Sequence, residues 1–202
     1  MDSQESILAI ENMSGDELTR EQLVQELDRW LAGDFSGNGS GGSITDIMKA
    51  LKGGSDLGIF ILGACFIDAM AGFRYGVTEA NINDKHSKDR FMNFTREYLP
   101  EIYQNDKGRD FYVSMRCGLI HNHSERLGKY AFTSDRQVDH GSKTKNSKLI
   151  LNRENFIEDL KEAYRKLRKD ILNNEKEEVF TNAKARFISL GLMKVQIFTH
   201  ET

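Results

Sequence analysis

One run, Leu57 to Phe73 (LGIFILGACFIDAMAGF), limits the possible folds more than any other part of the chain. It is apolar on nearly every face and contains no proline. A helix that is apolar all round has to be surrounded, by protein or by lipid. A bilayer span needs about 20 apolar residues. This run is shorter and carries Asp68 inside it, which points away from a membrane. The expectation is a helix over residues 57–76 in the middle of a bundle. Gly58, Gly63, Ala64, Ala69 and Gly72 are small. Glycine lowers helix propensity by roughly 1 kcal/mol, so these positions are expected to let other helices approach closely. A carboxylate inside such a helix needs a partner, and Arg74 and Arg116 are the candidates.

The rest of the chain reads as helices to surround that one. Residues 16–32 form an amphipathic pattern with Leu23, Leu27, Trp30 and Leu31 on one face. Residues 33–42, GDFSGNGSGG, read as a flexible linker. Gly37, Gly39 and Gly42 match G-x-G-x-x-G, but a dinucleotide site needs a preceding strand, and here a helix precedes. A short helix follows over 44–52, capped by Ser43, with the Lys52-Gly53-Gly54 break after it. Residues 77–86 are a polar loop. Ser87 opens a helix with Phe91, Phe94, Tyr98 and Ile102 at helical spacing, interrupted by Pro100. A further helix over 109–122 turns Phe111, Met115 and Leu119 inward. Residues 129–135 and 147–153 read as the two strands of a β-hairpin. Asn152 caps a helix over 153–173 with Phe156, Leu160, Tyr164, Leu167 and Ile171 inward and a basic outer face, Lys161, Arg165, Lys166, Arg168 and Lys169. A helix over 175–190 and a terminal strand, LMKVQIFTH, complete the reading. The organisation expected is an N-terminal helical arm and Gly-rich linker, residues 1–43, and a helical domain, residues 44–202.

Composition narrows the partners. The net charge is −3 and the pI about 6.0, so nothing global predicts nucleic-acid binding and any such site must be local. Cys65 and Cys117 are the two cysteines. They read as small buried thiols of a cytoplasmic protein, and without clustered histidines they make no zinc signature.

The chemistry concentrates in Arg116-Cys117-Gly118-Leu119-Ile120-His121, followed by Asn122 and His123. Arginine grips a phosphate with two parallel hydrogen bonds, and histidine moves protons near neutral pH. Together they suit phosphodiester chemistry or nucleotide binding. Five residues along an α-helix turn through about 140°, so Arg116 and His121 do not share a face within one regular α-helix. Either His121 stands at a frayed end, or its partner arginine comes from another subunit. Asp68 is a candidate to orient Arg116. Tyr112 and Tyr130 are candidates to stack on a base or to pack in the core.

The order of elements now on the page, with EYLPEIY, DFYVSMRCGLIHN and NFIEDLKEAY in sequence, resembles the HEPN superfamily of helical bundles, whose hallmark is Arg-x4-6-His. The resemblance spans roughly residues 55–175 and is closest to an uncharacterised bacterial branch. Its specific part is Arg116, Gly118, Leu119 and His121, with Tyr112 one turn upstream. It implies a mainly α, HEPN-like bundle with a small inserted β-hairpin. It also implies a metal-independent endoribonuclease of the toxin or phage-defence kind, or else a non-catalytic module binding nucleotide, RNA or a protein partner. No cofactor and no metal are implied. Active members are homodimers whose motif helices meet across the two-fold. Arg116 would then hold the scissile phosphate and His121 would serve as acid or base, with Asp68, Asn122, His123 and Tyr112 in support. Catalytic relatives commonly follow the arginine with Asn, Asp or His; here that position is Cys117.

Overall fold

In a computed structural model of the chain, residues 18–33, 35, 37, 38, 41–77, 86–120 and 126–191 are described. The described residues form seven α-helical segments and one two-stranded parallel sheet. Helix α1, Arg20–Leu27, opens on a capping box: the Gln22 N–H donates to Thr19 Oγ1 and the Thr19 N–H donates to Gln22 Oε1. It widens into a π-helical turn at Asp28–Ala32. Leu23, Leu27 and Leu31 are buried as their spacing predicts, but Trp30 is 41% exposed. The change of winding at Asp28 rotates Trp30 off the apolar stripe, and its ring meets Phe73 edge-on. After Ala32 the chain pinches. A Cβ added at Gly42 would lie 2.5 Å from Gly33 Cα and 2.8 Å from the Ala32 carbonyl carbon. Both glycines have φ in the left-handed region, +58° and +86°, and there glycine is favoured.

Helix α2, Ser43–Lys52, takes Gly42 as its N-cap, so Ser43 is its first residue and not its cap. Helix α3, Asp56–Tyr75, is the apolar run, and it lies inside the bundle. It is long and apolar enough to cross a membrane, but Phe60, Ala64, Ile67 and Met70 are buried against the other helices. Only one of its glycines is needed for a close crossing. A Cβ on Gly63 would sit 2.7 Å from Phe156 Cζ and 3.0 Å from Leu160 Cδ1. At Gly72 the nearest atom is 3.5 Å away. The helix is not covered all round: Leu57, Leu62 and Cys65 are exposed along one side. The expectation of two buried thiols is therefore corrected. Cys65 lies on this uncovered stripe, and Cys117 is half-buried.

Helix α4, Ser87–Tyr98, buries Phe91, Phe94 and Tyr98 and stops where Pro100 forces the preceding residue into extended backbone. A 3₁₀ turn, Glu101–Tyr103, and a tight turn over Asn105–Gly108 with Asp106 and Lys107 in the left-handed region lead to the motif helix. This helix, α5, starts as α over Arg109–Phe111 and then winds as π over Tyr112–Leu119. A regular α-helix was expected. Phe111, Met115 and Leu119 go inward at a spacing of four, with Ser114 and Gly118 beside them.

The expected β-hairpin is also corrected. Strands β1, Tyr130–Thr133, and β2, Leu149–Asn152, are parallel, with Tyr130 opposite Leu149. Parallel neighbours need a crossover of a dozen or more residues. Residues 134–148 supply it, returning through an antiparallel bridge of Lys143 to Leu149. A polar knot holds this crossover. The Tyr103 hydroxyl donates to Asp159 at 2.6 Å, His140 Nε2 lies 3.0 Å from that hydroxyl and 3.2 Å from Asp159, and His140 Nδ1 accepts the Asn152 N–H at 2.9 Å.

Helix α6, Arg153–Leu172, is capped by the Asn152 side chain and buries Phe156, Leu160, Tyr164, Leu167 and Ile171. Lys161, expected on the basic outer face, is instead 7% exposed and pairs with Glu158. Its long aliphatic stem makes that burial possible. Helix α7, Glu177–Ser189, closes the bundle. An aromatic cluster, Phe60, Phe111, Phe156 and Tyr103, joins α3, α5, α6 and the 3₁₀ turn at ring distances of 4.9–6.5 Å. The α1 segment shares this core through Leu23, Leu27 and Leu31. It is tied down by Arg20 to the Ile171 carbonyl and Glu177, and by Tyr164 and Arg168 to Asp28. Residues 78–85 of the loop expected over 77–86, and the terminal strand expected beyond Gly191, lie outside the described residues.

Candidate functional site

The site is built on the uncovered side of α3. Asp68 stands one turn beyond Cys65 on that helix. Arg116 reaches it from α5, with Nη2 3.5 Å from Oδ2. Of the two arginines proposed for Asp68, the other, Arg74, pairs with Glu97. The Asp68 and Arg116 side chains are 36% and 27% exposed, so the carboxylate is half-buried and not sealed in the core. A pair this exposed contributes at most about 1 kcal/mol. Its effect is geometric: it fixes where the guanidinium points while leaving part of it accessible.

Tyr112 is half-buried. Its ring meets Phe91 edge-on at 5.4 Å. Burial, and next the neighbouring Cys117, push its hydroxyl pKa up, and it shares hydrogen bonds with Cys117 and Ser87. Tyr112 and Cys117 are five residues apart. A π-helix closes on the fifth residue, which is why their side chains meet. The same winding means that the 140° separation expected for positions five apart on an α-helix does not apply between Tyr112 and Leu119. Tyr130 is buried against Phe111 and is a core residue. His121, Asn122 and His123 lie outside the described residues.

A residue that sequence reasoning passed over also lies against α3. Arg186 of α7 lies across Gly72, four residues after Asp68 on α3, with its Nε 3.5 Å from where a Cβ would stand. Its Nη1 donates to the Val77 carbonyl at 2.9 Å. Burial first, then the charge of Arg90 on α4, lower the Arg186 pKa, and Asp68 pulls it back up. No spacing in the sequence links residues so far apart. Cys65 feels the same charges. Partial burial and then Asp68 raise its thiol pKa, and Arg116 opposes them. Among the described residues no three His, Cys, Asp or Glu side chains converge as a metal site requires.

The arrangement can do one thing plainly: it presents guanidinium donors, anchored by one carboxylate, at a surface between α3, α5 and α7. Such donors suit an anion with several oxygens. Comparison with protein-family models, with curated proteins and with solved structures finds no match to this chain.

Proposed function

We propose that the chain is a HEPN-like module that acts on RNA, as a metal-independent endoribonuclease. The observation that supports this reading is the Arg116–Asp68 pair: the arginine of the Arg-x4-His motif is oriented by a carboxylate and still partly open to a ligand. In the proposed reaction His121 takes the proton of a ribose 2′-hydroxyl, the oxygen attacks the adjacent phosphorus, and the 5′-oxygen leaves with a proton returned to it. Arg116 neutralises the charge gathering on the phosphorane oxygens. The active form is a homodimer. The exposed apolar stripe of Leu57, Leu62 and Cys65 beside Asp68 supports that, because a second copy would cover it.

A second reading, a non-catalytic module binding RNA, nucleotide or a protein partner in the same place, is favoured by Cys117. Its thiol hydrogen-bonds Tyr112 where catalytic relatives carry a polar group beside the arginine.

One experiment separates the readings. Purified protein is incubated with single-stranded RNA in EDTA and the products are mapped. Cleavage leaving a 2′,3′-cyclic phosphate, inert DNA, and loss of activity in Arg116→Ala and His121→Ala with the helical fold retained support the enzyme. Binding that depends on Arg116 without cleavage supports the module. If neither binding nor cleavage changes in these variants, both readings fall.

A further inference from the structure

The crossover between β1 and β2 folds back along β2 as a short ladder. The Thr144 N–H donates to the Lys148 carbonyl, the Ile150 N–H to the Ser142 carbonyl and the Gly141 N–H to the Ile150 carbonyl, each at 2.8 Å. Alternate amides of a strand point the same way, so after Ile150 the next β2 amide to face the crossover is that of Asn152. It donates to the ring of His140, at Nδ1, 2.9 Å away. The rungs before it end on carbonyls, which accept at every pH. An imidazole nitrogen accepts only while it carries no proton.

The other ring nitrogen sets what protonation does. With Nδ1 accepting, the proton of the neutral ring is on Nε2, 3.0 Å from the Tyr103 hydroxyl and 3.2 Å from Asp159. Tyr103 gives its own proton to Asp159, and burial, with Asp159 next, keeps that hydroxyl protonated. A second proton turns the ring into an imidazolium. Its Nε2–H stays against the Asp159 carboxylate as an ion pair, while its Nδ1–H faces the Asn152 N–H, donor against donor. The surroundings leave Asp159 as the charge on the ring. On the 3₁₀ turn Tyr103 is neutral and Glu101 is exposed. On α6 the other nearby acids, Glu154, Glu158 and Glu162, pair with Arg136, Lys161 and Arg165. Strand β2, Leu149–Asn152, carries no ionisable side chain, and β1 brings Tyr130, buried against Phe111. On the crossover itself Asp139 and Lys143 are exposed.

We infer that His140 is a proton-operated latch: its neutral ring closes the last rung between the crossover and the junction of β2 with α6, and its protonation opens that rung while the ring stays on Asp159. The closed ladder holds one proton fewer than the open one. It is therefore complete at the alkaline end of the range in which histidine titrates, about pH 5–8, and is lost as pH falls through it. The rung stands where other bonds meet. The Asn152 side chain caps α6 and donates to the Asp135 carbonyl. Arg136, the next residue, walls a cavity of about 390 Å³ with Met48, Leu51, Glu154 and Ile157. Opening the latch loosens the stretch from Asp135 to His140 beside that cavity. The latch is independent of the site at Arg116.

The test is amide hydrogen exchange of the full chain by NMR, from about pH 8 to about pH 5, with rates corrected for the intrinsic effect of pH. The Ile150 N–H, bonded to a carbonyl one rung away, is the internal reference. Asn152 is expected to lose about five- to tenfold in protection, the usual loss for one hydrogen bond, while Ile150 keeps its own. Nitrogen-15 shifts of the His140 ring are expected to show the Nε2–H tautomer at the alkaline end and a proton arriving on Nδ1 in step with that loss. His140→Asn offers an amide oxygen near the place of Nδ1 and does not titrate, so Asn152 should stay protected throughout. The latch is overturned if Nδ1 carries the proton at the alkaline end, if the ring takes no second proton by the acid end, if Asn152 does not follow the ring, or if Asn152 and Ile150 open together. A pH dependence that survives in His140→Asn overturns it as well. Should that variant unfold, the two amides of the unaltered chain decide alone.

Discussion

Replacing Gly63 with alanine tests the bundle at its tightest crossing. Two effects oppose each other. Alanine in place of glycine within a helix is worth about 1 kcal/mol in propensity. The new methyl would lie 2.7 Å from Phe156 Cζ, closer still to Cε1, and 3.0 Å from Leu160 Cδ1. Carbon atoms at rest stand about 3.5–4.0 Å apart, so the Phe156 ring has to retreat by roughly an ångström. It has nowhere to go. Phe60 stacks on it at 5.2 Å, and Tyr103 and Phe111 bound it at 6.0 and 6.5 Å. Overpacking of this kind costs about 1–3 kcal/mol, and two rigid contacts put Gly63 near the upper value. The expected net loss is about 2 kcal/mol. In urea, with a slope of about 2–3 kcal/mol per molar, the midpoint should fall by about 0.7–1 M, followed by far-UV circular dichroism. Gly72→Ala is the internal control: its methyl meets Arg186 at an ordinary 3.5 Å, and stability should rise by about 0.5–1 kcal/mol. Phe156→Leu combined with Gly63→Ala should lose less than the two changes separately, because the smaller side chain vacates the space. A Gly63→Ala protein as stable as the parent would refute the close crossing of α3 and α6.

Alkaline pH should unfold the protein early. Burial is the largest cause raising the pKa values of Tyr75, Tyr98, Tyr103 and Tyr164, aided by Glu97 for the first two, Asp159 for Tyr103 and Asp28 for Tyr164. The folded state holds these protons more tightly than the unfolded chain, so stability is complete below about pH 10 and declines as pH rises above it, by about 1.4 kcal/mol per pH unit for fully buried Tyr103 alone. Ultraviolet titration of tyrosinate should then coincide with loss of circular dichroism; tyrosines that ionise normally in folded protein would contradict it. At Cys65, Asp68→Asn should speed alkylation at pH 8 and Arg116→Ala should slow it, because one removes the charge that raises the thiol pKa and the other the charge that lowers it; peptide mass mapping reads both, and equal rates would refute the shared electrostatics. Asn152→Ala should cost about 1–2 kcal/mol by urea unfolding, since that side chain caps α6 and also donates to the Asp135 carbonyl; a silent change would show that the crossover is held elsewhere.

What could be read from the sequence was whatever repeats along one element. The buried series of α6, the apolar character of α3 and the stop before Pro100 all follow from local spacing and local sterics. That Asp68 would have an arginine partner followed from the need of a carboxylate in an apolar helix, but spacing left Arg74 and Arg116 equally open and only the fold chose Arg116. The misreadings have a common origin in winding and connection. Positions 111, 115 and 119 look nearly alike on an α-helix and a π-helix, so the motif helix was assigned the commoner geometry. Two short apolar runs separated by a polar stretch look like a hairpin, and only the 15-residue connector hinted at a parallel pair. Cys65 was expected to be buried because an apolar helix was assumed to be covered on every side. Arg186 carries no sequence signal at all, since its place over Gly72 depends on how α7 settles on α3.

The π-winding of α5 has a genetic consequence. A π-helix fits one more residue into a turn than the α-helix around it, so the segment Tyr112–Leu119 is a standing insertion within the reading frame of the helix. Deleting one residue there would let the backbone rewind as α, the more favourable hydrogen-bonding pattern, while the helix on either side keeps its phase. A point substitution at Arg116 removes a side chain and leaves its neighbours in place. A one-codon deletion would remove the wide turn alone, separating what the motif is made of from how it is wound.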